Sequence, residues 1–191
     1  MAGASATTKG TTNKLGALKS ASKLAAVGMG VALVAGVKSS ISAFQESERV
    51  TAQTNAVLKS TKNAAGVTAK GISRLATEVS RYSGIDDEAV QSGENLLLTF
   101  TKIRYETGRG NQIFTRATKI VADMSVALGQ DMKSSSLQLG KALNDPIKGV
   151  TALTRAGVSF TQGQKDQIKK MQESGDLLGA QKLILAEVQT Q

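Results

Sequence analysis

Apolar residues recur at helical spacing along most of this chain. The strongest run is Ile113, Phe114, Ala117, Ile120, Val121, Met124 and Leu128. These fall at i, i+1, i+4, i+7, i+8, i+11 and i+15, one continuous stripe on a helix that Asn111 opens and Gly129 closes. Upstream, Ile41, Phe44, Val50, Ala52, Ala56 and Val57 predict a helix from Ser39 to about Ser60, and residues 62–67 (KNAAGV) break it. Thr68 suits the cap of a helix running to about Tyr82, with Ile72, Leu75, Ala76 and Val79 on one face and Ser83-Gly84 as its stop. A third helix follows from Asp86, carries Ala89, Val90, Leu96, Leu97 and Phe100, and is expected to end near Gly108.

Beyond Gly129 the pattern predicts four more helices. Met132 to Leu143 is the first. Asp145 then reads as an N-cap with Pro146 at N1, where a missing amide costs nothing, and that helix ends near Gly157. Val158-Ser159-Phe160 is a short extended link. Thr161 and Gln164 have capping-box spacing and start a helix that ends near Gly175. Asp176 starts the last, with Leu177, Ala180, Gln181, Ile184, Leu185 and Val188 at helical spacing. Its end lacks the glycine or basic last turn of a helix C-terminus, which predicts that the natural chain continues. No alternating strand pattern or internal repeat is visible. The expectation is an all-α fold, an extended series of amphipathic helices with no sheet.

Composition supports that class. Ala, Leu, Lys, Gln and Glu are good helix formers, and Pro146 is the one proline in 191 residues. Aromatics are 3 % of the chain, so the apolar surface is mostly aliphatic and suits helix-on-helix packing. There is no Cys and no His. That excludes disulfides, thiolate metal sites, a thiol nucleophile and any catalytic apparatus built on histidine within this chain. No catalytic, cofactor-binding or metal residues are assigned.

Charge divides the chain. Met1 to Gln45 holds Lys9, Lys14, Lys19, Lys23 and Lys38 and no acid; the remainder holds 19 basic and 15 acidic residues, for a net charge of +9. Residues 1–23, rich in Ala, Gly, Ser, Thr and Lys, read as a flexible basic arm. Such an arm attracts acidic partners, but it has no interleaved aromatics on which bases could stack, so specific nucleic-acid binding is not expected. Leu24 to Val37 (LAAVGMGVALVAGV) is uncharged between Lys23 and Lys38. At fourteen residues it is short for a bilayer span, which needs about 20. Gly28, Ala32 and Gly36 recur every four residues on one face, where small side chains let two backbones approach closely. Helix self-packing and membrane contact are the competing readings, with a cleaved signal sequence as a third. The chain thus divides into the arm (1–23), the apolar segment with long helices (24–82) and a helical region (83–191).

Local constellations add little. Asp86, Asp87 and Glu88 resemble a divalent-metal cluster, but neighbours on a helix diverge by about 100°, and acids in a first turn are explained by the helix dipole. Gly108-Arg109-Gly110 has glycines suited to a phosphate but no preceding strand, so it is a weak nucleotide signal.

The C-terminal half, LGKALNDPIKGVTALTRAGVSFTQGQKDQIKKMQESGDLLGAQKLILAEVQ from Leu139 to Gln189, closely resembles the tail tape-measure proteins of long-tailed bacteriophages. Leu139, Gly140, Lys141, Asp145, Pro146, Gly149, Gly157, Val158, Phe160, Thr161 and Gln181 carry the match. Glu94-Asn95-Leu96-Leu97-Leu98-Thr99-Phe100 and Ala56-Val57-Leu58-Lys59-Ser60-Thr61 look like the same family. The resemblance implies a structural protein of tail assembly. It would be made in the bacterial cytoplasm and lie in the tail tube lumen, setting tail length and assisting DNA passage. Its implied partners are copies of itself, tail tube proteins and tail assembly chaperones, with contact at the host inner membrane during DNA entry. As a single helix at 1.5 Å per residue the chain spans at most roughly 290 Å; family members are usually longer, which predicts a fragment or a truncated prophage copy. The alternative function is a membrane-active helical protein working through residues 24–37.

Overall fold

A computed structural model describes residues 42–106, 108 and 110–190. Residue contacts divide the chain after Glu46, and the architecture that follows is that of the unit beginning at Ser47. The basic arm and the Leu24–Val37 segment, with Gly28, Ala32 and Gly36, lie outside the described residues. Among the described residues no helix is long and apolar enough to cross a membrane.

The fold is all-α, with eight helices among the described residues: α1 (residues 42–60), α2 (Ala69–Ser83), α3 (Asp87–Leu97), α4 (Ile113–Leu128), α5 (Met132–Asn144), α6 (Pro146–Arg155), α7 (Gln162–Glu173) and α8 (Leu177–Val188). Several of the predicted caps are formed by the residues that the sequence pointed to. Thr68 accepts from the Gly71 amide at 3.0 Å, and Asp176 from the Gly179 amide at 2.8 Å. Thr161 and Gln164 form both halves of a capping box. Gly84 (φ 72°) and Gly129 (φ 61°) stop α2 and α4 in the left-handed region that glycine enters without strain.

One core runs through the unit. It takes Ile72, Leu75, Ala76 and Val79 from α2, the stripe Ile113–Met124 from α4, Leu139 and Leu143 from α5, and Ile184 and Leu185 from α8. Leu128 ends that stripe 40 % exposed. Consecutive helices pack on each other (α2 on α3, α4 on α5, α5 on α6, α6 on α7, α7 on α8), and the series folds back so that α8 closes on α4, α5 and α6.

Two element boundaries differ from expectation. The third helix ends at Leu97, well before Gly108. Beyond it the chain turns twice, the Thr99 hydroxyl donates to the Leu96 carbonyl at 2.7 Å, and Ile103 buries itself in the core. A threonine hydroxyl offering the backbone a local partner competes with helix continuation. Residues 98–112 are thus a connection, closed by one isolated antiparallel bridge between Tyr105 and Gln112. The helix assigned to Asn111 starts at Ile113, and Gln112 in its N-cap position makes no side-chain capping bond.

Candidate functional site

The residues that carry the family resemblance gather where α5, α6, α7 and α8 meet, and most hold that meeting together. At the α5–α6 corner, Pro146 occupies N1 of α6 as predicted. Gly149 sits at the closest crossing: a Cβ there would lie 2.0 Å from the Ala142 Cα. Only a residue without a side chain lets the two backbones approach so far. Gly140 is constrained in the same way, since a Cβ would lie 2.3 Å from the Phe100 ring. Leu139 is fully buried between these contacts, while Lys141 is exposed.

Asp145 corrects its expected role. It stands in the N-cap position of α6, but its side chain makes no capping bond there. Its backbone is bent to φ −139°, ψ 85°, and the carboxylate faces Lys148 at 3.6 Å and the Gln172 amide nitrogen at 3.4 Å. The orphan amide at the start of α6 is satisfied by another helix: Ile147 N–H donates to Gln172 Oε1 at 3.1 Å. Gln172 of α7 therefore caps α6. Sequence reasoning missed it, because no spacing rule links residues 25 positions apart.

The link after α6 is fixed by Gly157 (φ 104°) and by burial of Val158 and Phe160. Gly157 and Val158 also line an apolar cleft of about 330 Å³ with Ile120, Met124 and Leu128 of α4 and Val188 of α8. Thr161 then starts α7, and Gln164 adds a hydrogen bond to Glu187 of α8. Gln181 is buried at the centre of α8. Its Nε2 donates to the carbonyls of Lys102 and Leu143, each at 2.9 Å. Those are an orphan carbonyl at the end of α5 and one in the 98–112 connection, so Gln181 joins three parts of the chain. Unpaired, such carbonyls would cost stability when buried.

A second polar cluster went unpredicted. On α3, Gln91, Ser92, Glu94 and Asn95 are all buried. Gln91 donates to Thr54 Oγ1 of α1 at 2.9 Å, and Asn95 donates to the Val50 carbonyl at 3.2 Å. Glu94 has neither oxygen hydrogen-bonded, and burial pushes its carboxyl well above the ordinary carboxylate range. Its protonated form is therefore favoured, because an unpaired buried charge is far costlier than a neutral acid. Gly93 faces α5, where a Cβ would lie 2.8 Å from Ser136 Oγ.

The acidic trio also departs from expectation. Asp86 caps α3 by accepting from the Glu88 amide at 3.1 Å, so its side chain folds back over the first turn. The carboxylates of Asp86, Asp87 and Glu88 lie within 4.8 Å of one another instead of diverging. Hydrogen bonding to Asp87, then to Asp86, pushes Glu88 up to about 7. Glu88 thus binds its proton more tightly than a lone carboxylate would. Asp87 and Glu88 lie in the first turn of α3, where acids complement the helix dipole.

Comparison with known proteins gives the chain a family. No curated protein and no solved structure matches the chain. The family model described as prophage tail length tape measure protein matches residues 2–169. That match covers both the helical bundle up to α7 and the basic N-terminal stretch, and it is to a structural, not an enzymatic, family. On this match the chain belongs to the prophage tail length tape measure proteins.

Proposed function

We propose that the chain occupies the lumen of the tail tube during assembly and that its length along the tube contributes to tail length. The observation that carries this reading is the family match over residues 2–169. The placement of the motif residues supports it: Gly140, Gly149, Phe160 and Gln181 hold helices together, as a structural element requires. Tube subunits, assembly chaperones and further copies of the chain are the partners. Assistance to DNA passage, with host membrane contact through residues 24–37, belongs to the same proposal.

A length experiment tests it. A second copy of α7 and α8, residues 161–188, is inserted in frame after Val188 in the prophage that encodes the chain. With the helices laid end to end along the tube instead of folded back as in the bundle, tails measured by electron microscopy are expected to lengthen by roughly 42 Å, at 1.5 Å per helical residue. Intact tails of unchanged length would remove the length-setting role. The membrane-active alternative is carried by the fourteen uncharged residues Leu24 to Val37. It requires liposome flotation that is lost when they are deleted; equal flotation of both forms removes it.

A further inference from the structure

One end of the bundle carries positive charge that the fold does not use. From Arg49 to Thr77 the sequence has no acidic residue, and from Asn95 to Tyr105 there is none again. The structure joins these two stretches. Tyr105 N–H donates to the Ala65 carbonyl at 2.8 Å, and a Cβ on Gly66 would lie 3.5 Å from the Tyr105 Cβ. Lys59, Lys62, Lys70, Lys102 and Arg104 are thereby carried on the end of α1 and the turn after it, the start of α2 and the 98–112 connection. All five are exposed, and among the described residues none is in an ion pair. Glu106 is the one acid on this connection.

Stability does not account for this arrangement. Lys70 lies in the first turn of α2, and neither α2 nor α4 has an acid in its first turn, where the helix dipole favours negative charge. Three of the acids of this half of the unit, Asp86, Asp87 and Glu88, stand at the opposite end of α3 from the 98–112 connection. Lys62 and Asn63 both have left-handed backbones, at φ 51° and 52°, a conformation that L side chains avoid. Arg104 is oriented by its Nε, which donates to the Thr101 carbonyl at 3.0 Å.

The chemistry of the surface selects its partner. A protein interface is anchored by a desolvated apolar cluster, and here Tyr105 is the one large hydrophobic exposed on these two loops. Phosphate contacts need only point charges, hydroxyls and helix N-termini, and this end offers the cations, Thr101, Tyr105 and the N-terminus of α2. We propose that this end of the bundle binds the phosphate backbone of double-stranded nucleic acid without reading its sequence. The proposal is independent of the role in tail length and is distinct from any attraction by the basic arm, which every variant below retains.

The test is fluorescence anisotropy of the full chain with a short DNA duplex over a series of salt concentrations. Lys62→Glu with Arg104→Glu is expected to weaken binding by about tenfold or more and to reduce the slope of log K against log salt by about 2. Lys62→Asn with Arg104→Gln removes the charge more mildly at a backbone that asparagine tolerates, and should move in the same direction. Lys133→Glu with Lys170→Glu, exposed on α5 and α7, changes net charge equally and should leave the slope unchanged. Circular dichroism confirms that each variant is folded. Equal losses in both reversal pairs would reduce the effect to diffuse net charge and overturn the proposal. So would absence of duplex binding, or tighter binding to poly-glutamate than to DNA, which would point to an acidic protein surface instead.

Discussion

Helices α3 and α4 are both largely buried, and their buried faces are opposites. α4 presents Ile113, Phe114, Ala117, Ile120, Val121 and Met124, a stripe with little to satisfy beyond its own volume. α3 buries Gln91, Ser92, Gly93, Glu94 and Asn95 beside Val90 and Leu97. The first contributes through area removed from water, which is non-directional. The second adds directed bonds to α1, which specify position but leave Glu94 without a partner. Burial alone therefore does not say what a helix contributes; the chemistry of the buried face does.

Exchanging that chemistry should give effects of opposite sign. Ile120 is 3 % exposed, so Ile120→Asp places an unpaired acid in the stripe. A loss of about 4 kcal/mol or more is expected, read as collapse of the thermal transition in circular dichroism. A cooperative transition near that of the natural chain would mean that the stripe is not a core. In α3, Glu94→Met removes the acid at similar volume and should stabilise by roughly 1–3 kcal/mol, the cost of leaving a buried polar group unsatisfied. A lower midpoint in denaturant would show that Glu94 has a stabilising partner.

The pH dependence sharpens the same contrast. Glu94 binds its proton more tightly in the folded chain than in the unfolded one. Above the ordinary carboxylate value the unfolded state therefore holds fewer protons, and stability falls as pH rises toward the folded value, by up to about 1.4 kcal/mol per pH unit. Glu88, raised to about 7, contributes in the same direction. Subtracting the Glu94→Met curve isolates Glu94. The variant should show a shallower decline between mildly acidic and neutral pH, and parallel curves would mean that Glu94 is already ionised. The smallest effect is expected at the α1–α3 seam. A double-mutant cycle of Gln91→Ala and Thr54→Val should return a coupling of about 1 kcal/mol; zero coupling would make the 2.9 Å hydrogen bond energetically silent.

The same pair of helices explains what the sequence disclosed. α4 was legible because its apolar spacing repeats for four turns. The capping residues Thr68, Thr161 and Asp176 were legible because their partners lie within three positions. The buried face of α3 was not: Gln91, Glu94 and Asn95 have the composition of a solvated surface, and only tertiary packing buries them. Gln172 and Gln181 were unreadable as caps for a related reason, since their partners lie 25 and 38 or more residues away. The convergence of Asp86, Asp87 and Glu88 failed a rule about helical divergence because Asp86 precedes the helix and turns its side chain over it. The family motifs were recognisable in order along the chain, but their packing roles, above all the contact of Gly149 with Ala142, needed coordinates.

The way consecutive helices lie against each other also carries a timetable. Contacts between sequence neighbours close small loops, and helical units of this kind fold in about milliseconds or less. Synthesis proceeds at about 5–20 residues per second, so the unit from Ser47 emerges over roughly ten seconds. Each helical pair has time to form before the next leaves the ribosome. The last helix is different: until α8 arrives, the carbonyls of Lys102 and Leu143 lack Gln181, and the sides of α4, α5 and α6 that it covers stand open. Completion of the bundle thus waits on a single event, the emergence of α8.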